Sequence, residues 1–399
     1  MPPLKRATPL KPENVRGTDI HGKAVVLAKT QPQQLALFQT FFPDDHNDHY
    51  SNTIELYDAI PKYVTNPKLV DAMREGGKYL PLLERQFHHR GEVFTVTIRP
   101  ARLKDRAGRE KEYYPSPREE LVEEALRKLA CDRLNGVYLD NLVGVQFTLY
   151  ELKQELRNRG HDIHLQSLIE ALKIGHGVDL HMYRKDGSVM LASPIFPLLL
   201  IGSRHDWLKN PTETRCYVQF HPFITQCLSQ LTYRQFDYGM YMRYRYRLSR
   251  WLHKRLAHNY VQASMLTPYT IRLSTIFRDS GTQESAQNYN NPRSVERALD
   301  ELHDEKILLA ITKETLRGPR KRLVDIKYTL LPTVEFVTEI KRANRRTTIL
   351  TERLQSVATH SNQDIGDAEE EVPRKIGDAE EEVPRKIGDA EEEVLLENR

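Results

Sequence analysis

Cysteine is scarce in this sequence of 399 residues: Cys131, Cys216 and Cys227 are odd in number and lack CxxC spacing. That argues against a disulfide framework or a cysteine-based zinc site, and the three read as reduced core thiols. Long apolar runs are missing as well. The nearest, Ile195–Ile201, falls far short of the roughly 18–20 residues that a membrane helix needs. The basic, Pro-rich N-terminus has no apolar core of the kind a secretory leader carries. A cytoplasmic chain with no membrane association is expected.

Motifs of several enzyme classes are also absent. There is no Gly-x-x-x-x-Gly-Lys-Ser/Thr phosphate loop, no Gly-x-Ser-x-Gly and no His-Glu-x-x-His. Nor is there the His-hydrophobic-His triplet that accompanies a nicking tyrosine. His46/His49 and His161/His164 stand three apart but have no nearby third ligand, so they read as loop and surface residues. The acids Glu119, Glu120, Glu123 and Glu124 read as a solvated helix face. A non-enzymatic chain with no cofactor and no metal is the expectation.

What is present is charge, unevenly placed. Residues 361–399 carry 14 acidic and 5 basic side chains, a net of −9 against +4 for the whole, which leaves +13 on residues 1–360. A body of that charge suits a polyanionic partner, although a solvated basic surface has the same composition. The tail holds a tandem repeat: Ile-Gly-Asp-Ala-Glu-Glu-Glu-Val-Pro-Arg-Lys spans 365–375, recurs at 376–386 and begins again at Ile387. Gly and Pro in each copy argue against a helix, so residues 346–399 are expected to be a disordered tail, either an inert linker or an interaction segment.

Residues 1–90 read as a flexible or partly ordered arm, broken by Pro43, Pro61, Pro67 and Pro81. Clear order begins at Gly91, where Phe94, Val96 and Ile98 alternate with Val93, Thr95 and Thr97 as in a strand. Ser116-Pro117-Arg118-Glu119 has the pattern of a capping box with Pro at the first helical position. Thr148 and Glu151 announce a second helix over 149–158, and 165–174 reads as a third. Two strands, 178–183 and 189–195, follow around Lys185-Asp186-Gly187. Helices followed by a β-hairpin give the order of a winged helix, here assigned to 91–210. The order recurs in 211–345: a long helix over 235–259, a shorter one over 269–279, a third over 292–306, then strands 307–313 and 323–330. The fold class expected is therefore α+β, two tandem winged-helix domains between the arm and the acidic tail.

In the long helix, Tyr241, Tyr244, Leu248, Trp251, Leu252 and Leu256 form a core stripe, while Arg243, Arg247, Arg250 and Lys254 form a separate basic one. Arginines on one face suit phosphates; a solvated face is the other reading. In the third helix of the second unit, Val295, Leu299 and Leu302 mark the apolar side and leave Arg293, Ser294 and Arg297 to point outward. A recognition helix meets base edges with its N-terminal residues, and arginine can take guanine with two hydrogen bonds. The hairpin turn Arg317, Arg320, Lys321 and Arg322 would then reach phosphates or a minor groove. In the arm, Gln34-Leu35-Ala36-Leu37-Phe38 is similar to the bacterial sliding-clamp-binding pentapeptide. Leu35, Leu37 and Phe38 would fill an apolar pocket with Gln34 at its rim, or else the segment is a small hydrophobic anchor for the first domain.

Tyr114-Pro-Ser-Pro-Arg-Glu-Glu-Leu-Val-Glu-Glu-Ala-Leu-Arg-Lys-Leu-Ala130 resembles the replication initiator protein A family of bacterial plasmids. So do Leu231-Thr-Tyr-Arg-Gln-Phe-Asp237, Arg250-Trp-Leu-His-Lys-Arg-Leu-Ala-His258, Pro268-Tyr-Thr-Ile-Arg-Leu-Ser274 and Arg278-Asp-Ser-Gly281. The likeness covers roughly 90–345. It implies two winged-helix domains that bind double-stranded origin DNA at repeated sites (iterons), open the origin, and recruit the host initiator and replicative helicase. It implies a monomer–dimer equilibrium, dimerisation through the first domain as in TrfA-type initiators, and copy control by dimers. Arg293, Arg297 and Arg320–Arg322 are the DNA contacts carried over. A winged-helix transcriptional repressor without a replication role has the same sequence chemistry.

Overall fold

The computed structural model describes residues 16–18, 24–26 and 50–366, apart from 105–106, 132–135, 140–141, 203–213, 231, 283–289 and 320–322. The clamp-like pentapeptide at 34–38, His46/His49, Arg320, Lys321, Arg322 and the acidic repeats from residue 367 onward lie outside the described residues. Of the described residues, those up to 351 belong to one compact unit and 352–366 to a second; 346–366, expected from the sequence as the start of a disordered tail, are helical. No helix among the described residues is long and apolar enough to cross a membrane.

A short pair, β1 (Arg16–Thr18) and β2 (Ala24–Val26), precedes the first core. That core begins at β3 (Tyr50–Ile54), α1 (Glu55–Ala59) and α2 (Pro67–Ala72), where Pro67 takes the first helical position and Asn66 accepts the Leu69 N–H at 3.3 Å. Residues 50–90, read from the sequence as part of the arm, contribute Ile54, Tyr57 and Phe87 to this core, each fully buried. The prolines end short elements there without preventing those elements from packing.

Strands β4 (Leu83–His89) and β5 (Glu92–Arg99) pair around Arg90-Gly91, and Phe94, Val96 and Ile98 face inward as the alternation requires. A second hairpin, β6 (Ala101–Lys104) with β7 (Glu110–Tyr113), leads to α3 (Pro117–Cys131), where the Ser116 N–H donates to Glu119 Oε2 at 2.8 Å. After β8 (Gly136–Leu139) and β9 (Leu142–Thr148) comes α4 (Leu149–Asn158). Its capping box is complete: Thr148 Oγ1 accepts from Glu151 N at 3.0 Å, and Glu151 accepts from Thr148 N at 2.7 Å. Helix α5 (Leu165–Gly177) and the hairpin β10 (Asp179–Arg184)–β11 (Val189–Pro194) follow, turning at Gly187 with φ 81°. The sheet order is β11-β10-β5-β4. A second sheet has the order β12-β13-β9-β8, with β12 at Leu199–Leu200 and β13 at Arg215–Gln219. Helix α6 (Pro222–Ser229), strand β14 (Tyr233–Asp237), which pairs with β3, and helix α7 (Tyr238–Arg243) complete this core, which ends at Met242.

The second core starts at Tyr244. Its elements are α8 (Arg247–Asn259), β15 (Tyr269–Arg272), α9 (Leu273–Ser280), α10 (Asn290–Asp304), β16 (Leu308–Arg317), β17 (Leu323–Pro332) and α11 (Val334–Gly366), with the sheet order β15-β17-β16. Two sequence expectations are corrected here. The helix over 235–259 is three elements, because Gln235–Asp237 pair with β3 and the chain is extended at Tyr244 and Tyr246. The Glu301 carboxylate accepts the Arg245 N–H at 2.6 Å and the Tyr246 N–H at 3.1 Å, which removes both from helical bonding. Apolar residues continue at helical spacing across the break, so periodicity alone does not reveal it. Likewise 269–279 opens as a strand: Tyr269, Thr270 and Ile271 pair with Leu330, Thr329 and Tyr328 before α9 begins.

Candidate nucleic-acid interface

Helix α10 is held by one face. Val295, Ala298, Leu299 and Leu302 are buried in the second core, as their spacing predicts, and this fixes the roll of the helix. Arg293 and Arg297 are exposed on the opposite side and Ser294 on the flank, near the N-terminal end. Ser294 Oγ donates to the Asn291 carbonyl at 2.8 Å, and so fastens the first turn from within. Beside the helix stands the β16–β17 hairpin, ten residues on each strand and thus about 33 Å long. Only Leu308 of β16 is buried; the strand extends away from the core to an exposed Arg317 at its end. The Lys313 ammonium pairs with Glu296, which ties hairpin to helix. The Asp325 carboxylate accepts from Ser274 N at 3.2 Å and Ser274 Oγ at 2.6 Å, placing a negative charge at the start of α9. Helix α10 and the hairpin stand side by side and display Arg293, Ser294, Arg297 and Arg317 to solvent.

The basic stripe read from the sequence is not a surface. Arg243 is half-exposed and pairs with Glu305 at 3.1 Å. Arg247, Arg250 and Lys254 are buried, and their charges are answered inside the molecule. Arg250 lies 3.2 Å and Arg247 3.5 Å from Glu120; Lys254 bonds Glu124 and lies 3.2 Å from Asp58. Arg247 also donates to the Ser280 carbonyl at 3.0 Å. Arg127 joins the same group, 2.8 Å from Asp58. Burial alone would raise the Asp58 carboxyl, but Arg127 and Lys254 outweigh it and hold it well below the usual carboxylate range. Glu119, Glu120, Glu123 and Glu124, read as a solvated face, are all buried. The sequence did contain a signal for this. Glu120 and Glu124 are four apart on one helix, Arg250 and Lys254 four apart on another, and opposite charges at matched spacing can face each other. Tyr241 and Tyr244 are buried, as the core reading expected.

Other candidates resolve as structural. His161 bonds the Met242 carbonyl at 2.7 Å, and burial lowers its pKa. Among the described residues no group of three or more His, Cys, Asp or Glu is placed to hold a metal. The three cysteines are buried and unbridged, and burial pushes the Cys216 thiol up to about 11.

No family model matches this chain, and no curated protein does. Among solved structures, it is similar to a crystal structure of domains 2 and 3 of RctB, at TM-score 0.42 and 11% identity over 67% of this chain and 96% of that one. A second RctB structure of the same domains gives 0.40 and 12% over 71% and 99%. The Pi initiator protein in complex with iteron DNA gives 0.36 and 11% over 54% and 90%. At TM-scores below 0.5, these likenesses fix neither the fold nor the function of this chain.

Proposed function

We propose that this chain is a sequence-specific, non-enzymatic binder of double-stranded DNA that initiates plasmid replication at repeated origin sites. The observation that carries the DNA reading is α10: a helix with one face locked in a core and Arg293, Ser294 and Arg297 exposed outside that core, flanked by a long hairpin. Around it, helix, strand, helix, helix and hairpin follow in the order α8, β15, α9, α10, β16–β17, which is the order of a winged helix. A helix of 10–12 Å diameter fits a major groove about 12 Å wide. The hairpin, with Arg317 and the basic turn 320–322, would lie over the adjacent backbone. The first core repeats the theme with α3, β9, α4, α5 and β10–β11, although β9 pairs with β8 and β13 rather than with that hairpin. The proposed contacts are Arg293, Ser294, Arg297, Arg317, Arg320, Lys321 and Arg322, with Arg243 at the margin. Arg247, Arg250 and Lys254 leave the set because they are buried.

The replication role rests on the motif resemblance. With it come the proposed partners: host initiator, replicative helicase, the sliding clamp through Gln34–Phe38, and a second copy in a monomer–dimer equilibrium in the bacterial cytoplasm. The test is binding of the purified chain to its own upstream DNA and to scrambled DNA across a salt series. Preference for the native fragment, footprints at regular spacing, and a log–log salt slope near −0.9 per neutralised phosphate are expected. Equal affinity for both DNAs would leave only a general polyanion binder. Supplying the gene in trans to an origin plasmid that lacks it separates an initiator from a repressor: a repressor yields no replicating plasmid.

A further inference from the structure

The face that α10 turns to solvent changes sign along its length. At 3.6 residues per turn, Arg293, Arg297, Asp300 and Asp304 fall on one line, and all four are exposed. The other acids of the helix are engaged: Glu296 with Lys313, and Glu301 with the Arg245 and Tyr246 N–H groups. Asp304 lies 3.8 Å from the His303 ring. Neither Arg297 nor Asp300 makes a hydrogen bond or ion pair with any described residue. A cation and a carboxylate thus stand three residues apart, about 4.5 Å along the axis, on a helix whose roll the core fixes.

Carboxylates on the central line of the helix are repelled by phosphates. The helix would therefore enter a groove basic end first, its axis tilted along the groove so that Asp304 stays outside. Asp300, one turn behind Arg297, would then face the base edges about one to two base pairs further on. In the major groove a carboxylate can only accept. It suits the N4 amino group of cytosine, and it faces acceptors on guanine and on the carbonyl edge of thymine. Arginine, which can only donate, suits guanine O6 and N7.

We propose that Asp300 is a specificity-determining residue: it accepts a hydrogen bond from a cytosine amino group next to the guanine taken by Arg297, so that the two residues read G·C-rich sequence as a donor–acceptor couple. This rests on the DNA-binding reading above.

The experiment measures binding of the full chain, Asp300→Ala, Asp300→Asn and Arg297→Ala to the native upstream fragment and to every single-base-pair substitution within its footprint. Wild type is expected to disfavour replacement of one cytosine by about tenfold or more. Asp300→Ala loses that preference and keeps the others. Asp300→Asn moves it toward adenine, whose N6 and N7 suit a carboxamide. Unchanged thermal unfolding of these exposed-site variants shows that the fold is intact. If Asp300→Ala tightens binding to every fragment by one common factor and relaxes no position, Asp300 only repels phosphate and the proposal is overturned, while an Arg297→Ala defect would leave the DNA reading standing. If wild type itself does not distinguish native from scrambled DNA, the DNA reading fails first and the Asp300 proposal falls with it.

Discussion

Glu120 on α3 and Arg250 on α8 meet 3.2 Å apart with both side chains almost fully buried, although 130 residues separate them. One turn further along both helices, Glu124 meets Lys254 in the same way. The two contacts join the first core to the first helix of the second. They also explain why four basic residues that read as a phosphate-facing stripe yield one marginal surface candidate, Arg243. Removing water from a charge is costly unless a partner replaces it, and here the partners come from the other core.

That geometry makes a prediction about stability. Lys254→Met leaves Glu124 and Asp58 to share Arg127, and should lower unfolding free energy by up to about 3 kcal/mol. Adding Glu124→Leu removes a carboxylate that Lys254 no longer balances, leaving Arg127 to Asp58, and should recover part of the loss. Arg243→Ala, which breaks a half-exposed pair, should cost under about 1 kcal/mol. Denaturant titrations of the three variants check the order; equal losses for Lys254→Met and Arg243→Ala would show that the buried network is not strongly coupled.

Arg297→Ala should weaken binding to the native upstream DNA by about 1–3 kcal/mol and relax one base position. Stability should stay the same, because the side chain is exposed and bonds no described residue. Anisotropy titrations against a base-substitution panel read both effects. Unchanged affinity would remove Arg297 from the interface.

Glu301 sets the path of the chain between α7 and α8 through two backbone N–H groups. Glu301→Ala exposes or orphans both, and should cost about 1–2 kcal/mol, comparable to loss of a strong helix cap. Hydrogen exchange at Arg245 and Tyr246 should accelerate in the variant. Protection equal to wild type would mean that other groups hold the break.

Burial pushes His221, His253 and His258 down to about 3. Each is neutral in the folded chain, while its unfolded form binds a proton near 6.5. The unfolded state therefore holds more protons at these three sites between those values, and the stability they contribute is full well above pH 6.5 and falls as pH drops toward 3. His221 also caps α6, where its Nδ1 accepts the Phe223 N–H at 3.3 Å. Asparagine keeps a capping acceptor without titrating, so His221→Asn should flatten the stability–pH slope between pH 6 and 4 by up to one proton. A slope identical to wild type would show that His221 is already protonated in the fold.

Local features were legible in the sequence because local chemistry produces them. The capping pairs Ser116/Glu119 and Thr148/Glu151, the alternation at Phe94, Val96 and Ile98, and the spacing of Val295, Leu299 and Leu302 each lie within one element. They placed α3, α4, β5 and α10, and through α10 the exposed arginines of the candidate interface. Tertiary structure alone decided the rest. Tyr50–Ile54 finds its strand partner at Tyr233–Asp237, and that pairing overrides the helical periodicity running through 235–259. Glu120, Glu124 and Asp58 find their cations on α8, so that residue types which usually seek water are buried instead. A sequence shows which side chains carry charge. Whether that charge faces solvent or another charge depends on contacts between segments more than a hundred residues apart.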